Sequence, residues 1–562
     1  MTFCKCFFRY FIFSVLLLLI AAISAGCGGS SDTEYAEPSA NEVAFEEEAV
    51  SDDEVSDETP DNTSRTPTLG QMITAGAASR DFPDAPERAW IPHRPRGERS
   101  MAASAALFFY DEKDFFDLFG DRELTPFYAP EDYYVFDFVF DPEIKEYSFR
   151  YGNFYDEIYL SFDRDVFRQV TITVNGVEII EGEHDDMPEF AIPLQSGVPA
   201  VVQISTVDHN GDAQIYTVTI YTDPFEYTQW TTRPALMGTF IQPWDSGGPS
   251  RFTDEEWDEH LQMLLRAGID TIILQWAART DRNGNITAVF FQSDYADANG
   301  NPPSAVHSRY MLERLLRSAT KHGMRVYIGS IIEEDGWWAG AFLDPAWREI
   351  QNRVGNIILQ EVYDRYKEAF PEAFAGWYWA WEMYTHRNIN YNIAWAEMFS
   401  ANTLWLDEID KHNMPIMISP FHSQFSGRTP LDAYHQWSDF FVRAHWRDGD
   451  IFAAQDSVGA GGGRASLPKA NALAKAMAVA VKNAPVSLDY WVNVENFTES
   501  QDGSPVFTIE PADIERFIKQ LEIAGRYTHN IITYSYSHFF NGNGSPAERL
   551  ADAAYRHYIG AP

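Results

Sequence analysis

The chain has 562 residues, of which 45% are hydrophobic and 15% aromatic, enough apolar material for large cores in more than one domain. Its 83 acidic against 42 basic residues give a net charge of −41, and a field of that sign repels polyanions, which excludes nucleic acid as a partner. The 16 Trp and 28 Tyr offer flat faces of the kind sugar rings stack on, although large cores use the same residues.

Residues 1–27 read as an export signal. Lys5 and Arg9 precede an apolar segment from Tyr10 to Ile23, then come Ser24-Ala25-Gly26 and Cys27. This ending resembles the lipobox of bacterial lipoprotein signal peptides, with Ser24 where Leu is usual. The resemblance implies lipidation of Cys27 and a membrane-anchored, extracytoplasmic protein. An uncleaved spanning anchor is the alternative, disfavoured by the shortness of the apolar segment. Cys4 and Cys6 fall in the part that would be removed, so the mature chain is expected to hold no internal disulfide and no thiolate metal site. Residues 28–100 carry Glu46-Glu47-Glu48, Asp52-Asp53-Glu54 and Asp57-Glu58 with few large apolar residues, the composition of a disordered acidic linker. As a flexible coil it would reach on the order of 40–50 Å, a spacer off the membrane.

Residues 101–225 change character. Val170–Val174 alternates, Asn175-Gly176 is a strong hairpin signal, and Val177–Ile179 resumes the alternation. A second hairpin is expected from Val201–Val207, the turn His209–Asp212, and Ile215–Tyr221. Short strands at this spacing predict an antiparallel β-sandwich. From Glu146 to Thr222 the pattern resembles the cadherin-like modules of bacterial surface proteins, which serve as spacers as often as sugar binders. Met101–Tyr147 belongs with or packs on this unit.

From residue 232 to 562 the rhythm is strand, loop, helix. Strands are predicted at Leu236–Gln242, Thr271–Trp276, Arg325–Ile331, Gly376–Trp381, Pro415–Ser419, Ile451–Gln455, Leu488–Val494 and Asn530–Tyr534. Helices are predicted between them, among them one opened by a Thr253/Glu256 capping box, and others at Ser308–His322, Pro345–Lys367, Trp395–His412, Pro468–Asn483 and Pro511–Ala524. Eight alternations predict a (β/α)₈ TIM barrel, with a doubly wound open sheet as the alternative.

In such a barrel chemistry sits at the C-terminal strand ends, where three acids fall: Glu382, Asp456 and Glu495. Glu382 ends the aromatic run Gly376-Trp-Tyr-Trp-Ala-Trp-Glu382, where an ionised carboxylate is costly unless paired. An Arg-paired structural glutamate is one reading, a general acid with raised pKa the other. Two carboxylates across a sugar-sized gap are the working parts of glycoside hydrolysis. Glutamates ending strands four and seven resemble the arrangement of the clan A glycoside hydrolases, which retain configuration. That resemblance implies acid/base Glu382 and nucleophile Glu495, with Trp381 standing where the clan has Asn. A closer resemblance runs over nearly the whole barrel. Gly238–Trp244, Gly268–Trp276, Gly376–Glu382, Ala454-Gln455-Asp456 with Val458-Gly459, and Trp491–Glu495 are similar to the bacterial barrel family catalogued as domain of unknown function 4434, described as glycosyl-hydrolase-like.

Substrate-binding candidates are Asp456, which equally suits a capping role, and Gln242, Trp244, Gln275, Trp276, Trp337 and Tyr534, with Trp338 and Tyr536 nearby. His422, His445 and His538 are read as ordinary loop or core residues. Gly459-Ala-Gly-Gly-Gly-Arg464 lacks the third Gly of a dinucleotide fingerprint and the Lys-Ser/Thr of a P-loop. Asp281–Asn285 and Asp297–Asn301 read as turns rather than calcium loops. No cofactor or metal is expected. The function expected is a lipid-anchored extracytoplasmic glycoside hydrolase acting on carbohydrate, with a non-catalytic carbohydrate-binding lipoprotein and a sandwich-based adhesin as the other classes.

Overall fold

Short apolar runs bounded by turns pair in parallel and close on themselves. In this computed structural model the described residues are 107–110, 140–151, 154–184, 187–222, 224–243, 248–298, 308–333, 340–386, 388–410, 414–422, 429–460, 466–499 and 509–561. Cys27, the linker, Trp244, Trp337 and Trp338 lie outside them. Gly238–Ile241, Thr271–Leu274, Arg325–Gly329, Phe374–Tyr378, Ile416–Ile418, Ile451–Gln455, Asp489–Glu495 and Ile531–Tyr534 form a closed barrel in that order, the eighth strand pairing with the first through Gly238 and Ile532. These are the eight strands expected, in the order expected, and closure rules out the open sheet.

The outer layer is helical. Asp254–Arg266 opens with the expected capping box, in which the Thr253 hydroxyl accepts from the Glu256 N–H and the Glu256 carboxylate accepts from the Thr253 N–H. Inside, rings plug the barrel: Phe240 lies 5.2 Å from Tyr378 and 5.9 Å from Tyr534, and Tyr327 meets Trp491 at 5.7 Å. Gly376 is required by this filling, because a Cβ there would come within 2.5 Å of the Tyr327 ring and 2.8 Å of the Pro415 carbonyl. The plug leaves chemistry to the rim above it.

Residues 107–222 form two sheets. One has four strands in the order Leu107–Tyr110, Glu157–Phe162, Met187–Pro193, Gly182–His184; the other has five, Glu146–Tyr151, Ala213–Thr222, Ala200–Asp208, Phe167–Val174, Val177–Ile179. Asn175 and Gly176 turn the first hairpin with φ of 52° and 82°, the left-handed pair its type requires. One pairing departs from the antiparallel expectation: Glu146–Tyr151 runs parallel to Ala213–Thr222. Parallel neighbours need a long connection, and the whole stretch between the two strands supplies it. The sheets share a core that includes Ile158, Leu160, Ile172, Val202, Ile204 and Val218.

Phe154 and Tyr155 pack on Ala472 and Ala476 of the barrel helix Leu467–Lys482, and the Asp156 carboxylate accepts from Arg526 at 2.9 Å. No described helix is long and apolar enough to cross a membrane.

Candidate active site

Past Tyr378 the chain stays extended over the rim. Trp379 N–H donates to Met417 O at 2.8 Å, Phe421 N–H to Met383 O at 2.9 Å, and Thr385 N–H to Phe421 O at 3.1 Å. Alternation then sorts the run into two faces. Trp379 turns to the helices, its indole N–H donating to Asn402 Oδ1 at 2.9 Å, and Trp381 packs edge-on against Trp347 at 5.3 Å. Tyr378 faces the barrel interior, on the same side as Glu382.

Glu382 is half-buried and, among the described residues, forms no ion pair. Its Oε1 accepts from Gln455 Nε2 at 2.6 Å, and the same amide donates to Ser419 O at 2.8 Å. Burial raises its pKa from 4.5 to about 7, and the Gln455 bond, which favours the charged form, opposes the rise. Beside it, burial and the Glu382 charge push the Tyr378 and Tyr534 hydroxyls well above their usual range, and Tyr534 is hydrogen-bonded to the Gln242 side chain. A carboxyl that is protonated near neutrality, unpaired with any cation and held by one oxygen can donate a proton to a ligand. Among the described residues no arginine pairs with Glu382, so the Arg-paired structural reading finds no partner there.

Glu495 is the last residue of the seventh strand and is only 2% exposed. Its Oε2 accepts from Ala460 N–H at 2.7 Å. The turn after the sixth strand lies directly over it: a Cβ on Gly459 would stand 2.9 Å from Glu495 Cβ and 3.1 Å from its Oε2. Burial and then the Asp456 charge push its pKa well above the carboxylate range, with Glu499 adding to the rise and the Ala460 and Gly459 N–H groups opposing it. Among the described residues it forms no ion pair either.

Asp456 braces this end of the barrel. Its Oδ1 accepts from the Val458 and Glu495 N–H groups, each at 3.2 Å, and its Oδ2 from Gln520 Nε2 at 2.6 Å. The side chain extends the ladder between strands six and seven where the backbone turns away, with Ser457 at φ 54°. Both oxygens are thus used by protein donors. Its contacts supply the capping role weighed for Asp456, and Oδ2, which takes a single donor, keeps a lone pair for a further hydroxyl. Burial raises its pKa to about 6 and that of Glu499 to about 7. Arg516 donates to Phe497 O at 2.5 Å, and the Asp456 and Glu495 charges act on its guanidinium.

Gln242, buried, and Gln275, half-buried, directly follow the first two strands, which end one residue earlier at Ile241 and Leu274. Gln275 Oε1 has no hydrogen-bond partner among the described residues. Trp276 is buried in the barrel core, and so is Tyr536, whose hydroxyl donates to Asp552 at 2.7 Å. His422 stands 3.1 Å from Thr385 Oγ1, His445 pairs with Asp407 on the outside at 2.6 Å, and His538 is buried and held largely neutral. Among the described residues no cluster of three His, Cys, Asp or Glu could hold a metal. The sequence reading passed over Gln455 and the half-exposed rim residues Tyr384 and Phe421. Tyr384 follows Glu382 by two residues, so period-2 alternation along that run would have found it, whereas Gln455 and Phe421 needed the pairing of strands.

The fold is a closed (β/α)₈ barrel with two glutamates at its C-terminal rim. The chain belongs to the family described as Domain of unknown function (DUF4434), which matches residues 236–549, more than half of its length. Similar solved structures include one from Bacteroides thetaiotaomicron VPI-5482, provisionally named an alpha-L-fucosidase, at 20% identity and TM-score 0.47, covering 59% of this chain and 95% of that one. A Bacteroides ovatus GH5 xyloglucanase in complex with a XXXG heptasaccharide is similar at 11% identity and TM-score 0.34, over 75% of this chain and 99% of that one. A glycoside hydrolase family 5 structure from Bacteroides vulgatus ATCC 8482 is similar at 12% identity and TM-score 0.35, over 61% and 65%. No curated protein matches the chain. None of these likenesses carries a residue role across, so the function is read from this barrel's own side chains.

Proposed function

We propose that the chain is an O-glycoside hydrolase, anchored outside the cytoplasm by a lipid on Cys27, that acts on an oligo- or polysaccharide with Glu382 as acid/base and Glu495 as nucleophile. The observation that carries the proposal is Glu382: a half-buried carboxyl at the barrel mouth, without an ion pair among the described residues, with a pKa of about 7. In the first step it gives its proton to the leaving oxygen; in the second it takes a proton from water. Glu495 attacks the anomeric carbon in its ionised form. For this the proton favoured by Asp456 and Glu499 must leave on binding, while the Ala460 N–H bond to Oε2 favours the charged form. Residues 101–225 act as a cadherin-like spacer, and the acidic residues 28–100 as a tether to the membrane.

The cover over Glu495 favours a second reading, a carbohydrate-binding barrel without catalysis. Reducing-sugar release from a broad polysaccharide and oligosaccharide panel separates the two. The mature chain releases sugar if it is a hydrolase, and Glu382→Gln and Glu495→Gln each reduce release by about 10²–10⁴-fold. Sugar binding with no release in the parent establishes the second reading.

A further inference from the structure

Burial alternates along the segment that carries Glu382: Trp381, Met383 and Thr385 are buried, while Glu382 and Tyr384 are half-buried. The two half-buried residues therefore share the open side, about 6–7 Å apart along an extended chain. Next to them stands Phe421, past the end of the fifth strand, half-buried between buried Pro420 and His422. The Tyr384 and Phe421 ring centroids are 5.6 Å apart with planes inclined at 35°.

These rings are built into the rim. Tyr384 and Phe421 form a parallel bridge, fixed by the Phe421 N–H to Met383 O and Thr385 N–H to Phe421 O bonds. Behind them Gln436 clamps the segment, donating to Tyr384 O at 3.0 Å and accepting from His386 N–H at 2.7 Å. His422 Nδ1 adds a contact to Thr385 Oγ1 at 3.1 Å. A fixed, partly open aromatic pair beside a carboxyl presents a flat apolar face with one polar group at its edge, which matches the C–H face and ring hydroxyls of a pyranose. The general acid must touch the oxygen that leaves, so a ring lying just beyond the acid belongs to the leaving group.

We infer that Tyr384 and Phe421 form an aromatic subsite for the pyranose ring on the leaving-group side of Glu382, selecting neutral glycans. The neutral choice follows from the net charge of −41, which repels uronate-rich chains. This inference rests on the hydrolase reading.

Its test is calorimetric binding of neutral gluco-, xylo- and manno-hexasaccharides to the mature chain carrying Glu382→Gln, alone and combined with Tyr384→Ala, Tyr384→Phe, Phe421→Ala or Phe421→Leu. At least one hexasaccharide binds the Glu382→Gln protein. Removing either ring weakens that binding about tenfold, Tyr384→Phe changes it by less than about twofold, and Phe421→Leu, which keeps the packing volume but not the flat face, behaves like Phe421→Ala. With Glu382 intact, Tyr384→Ala lowers kcat/KM on the bound sugar's hexasaccharide about tenfold and leaves hydrolysis of the corresponding glycosyl fluoride, which has no leaving-group ring, within about twofold. Unchanged binding in folded ring-less variants overturns the subsite and leaves the hydrolase reading standing. An equal loss on the fluoride overturns the leaving-group assignment. No binding of any hexasaccharide to the Glu382→Gln protein overturns the subsite for neutral glycans, and if the parent also releases no sugar the hydrolase reading falls with it.

Discussion

Gln455, the last residue of the sixth strand, reaches across the barrel mouth to Glu382 on the fourth, its Nε2 lying 2.6 Å from Glu382 Oε1 and 2.8 Å from Ser419 O. One nitrogen thereby ties the acid to the end of the fifth strand and leaves the other carboxyl oxygen for a ligand. The bond stabilises the charged form, so removing it raises proton affinity. Gln455→Leu is expected to move the basic limb of the kcat/KM pH profile to higher pH and to lower kcat, since the carboxyl is no longer aimed. A profile that keeps its basic limb in place would separate Gln455 from the acid.

Glu382 also makes stability depend on pH. Its pKa rises from 4.5 to about 7 on folding, so the folded state binds more protons between those values and stability falls as pH rises through them. Below the lower value nothing is lost, and above about 7 the loss is complete. It amounts to at most about 3 kcal/mol, reduced by the half-exposure of the group. Glu382→Gln removes the effect. Its Tm is expected to equal the parent's near pH 4 and to exceed it by a few degrees at pH 8, a difference that thermal melts across that range would resolve.

Much of this architecture was legible because each barrel strand is a short apolar run closed off by polar or turn residues, and eight such runs admit few folds. Boundaries were less so. The fourth strand runs Phe374–Tyr378 rather than Gly376–Trp381, since Trp379 and Trp381 remain extended but leave the strand ladder at the rim. The helix expected from Trp395 begins at Ile389, capped by Asn388, because its first turn is rich in Asn and hides the helical period. Pro511 starts no helix: Ile509–Pro511 pairs with Phe497–Glu499, and the helix opens at Ile514 under an Asp513 cap.

The site divides the same way. Position at the C-terminal ends of single strands picked out Glu382 and Glu495, a local property of the chain. What surrounds them comes from residues far apart in sequence. The Ala460 bond to Glu495, the Gln520 bond to Asp456 and the Gln455 bond to Glu382 span 35, 64 and 73 residues, and no local pattern encodes them.

Asp456 offers a way to read Glu495. It stands among the groups that raise the Glu495 proton affinity, and it also accepts the Glu495 N–H. Asp456→Asn keeps an acceptor for that N–H and removes the charge. Glu495 then loses its proton more readily, and if it is the nucleophile the acidic limb of kcat/KM moves to lower pH. Stability is expected to fall by about 1–3 kcal/mol, because an amide cannot accept from all three donors at once. A folded variant with an unmoved acidic limb would show that Glu495 does not titrate in the reaction.

Gly459 tests the cover itself. Its Cα passes so close that an added Cβ would meet Phe497 O at 2.5 Å and Glu495 Cβ at 2.9 Å, and the first of these contacts is with backbone that cannot rotate away. Gly459→Ala must therefore lift the turn, lengthening the Ala460 N–H bond to Glu495 Oε2. The expected cost is about 1–3 kcal/mol of stability. The expected gain is access: Glu495, 2% exposed in the parent, becomes open to a water-soluble carbodiimide and amine, read as site-specific mass addition after digestion. Labelling of Glu382, already half-open at the mouth, serves as the internal reference and should be the same in both proteins. Equal labelling of Glu495 in parent and variant would mean that the turn already opens readily, and the burial of the carboxyl would then be no obstacle to attack.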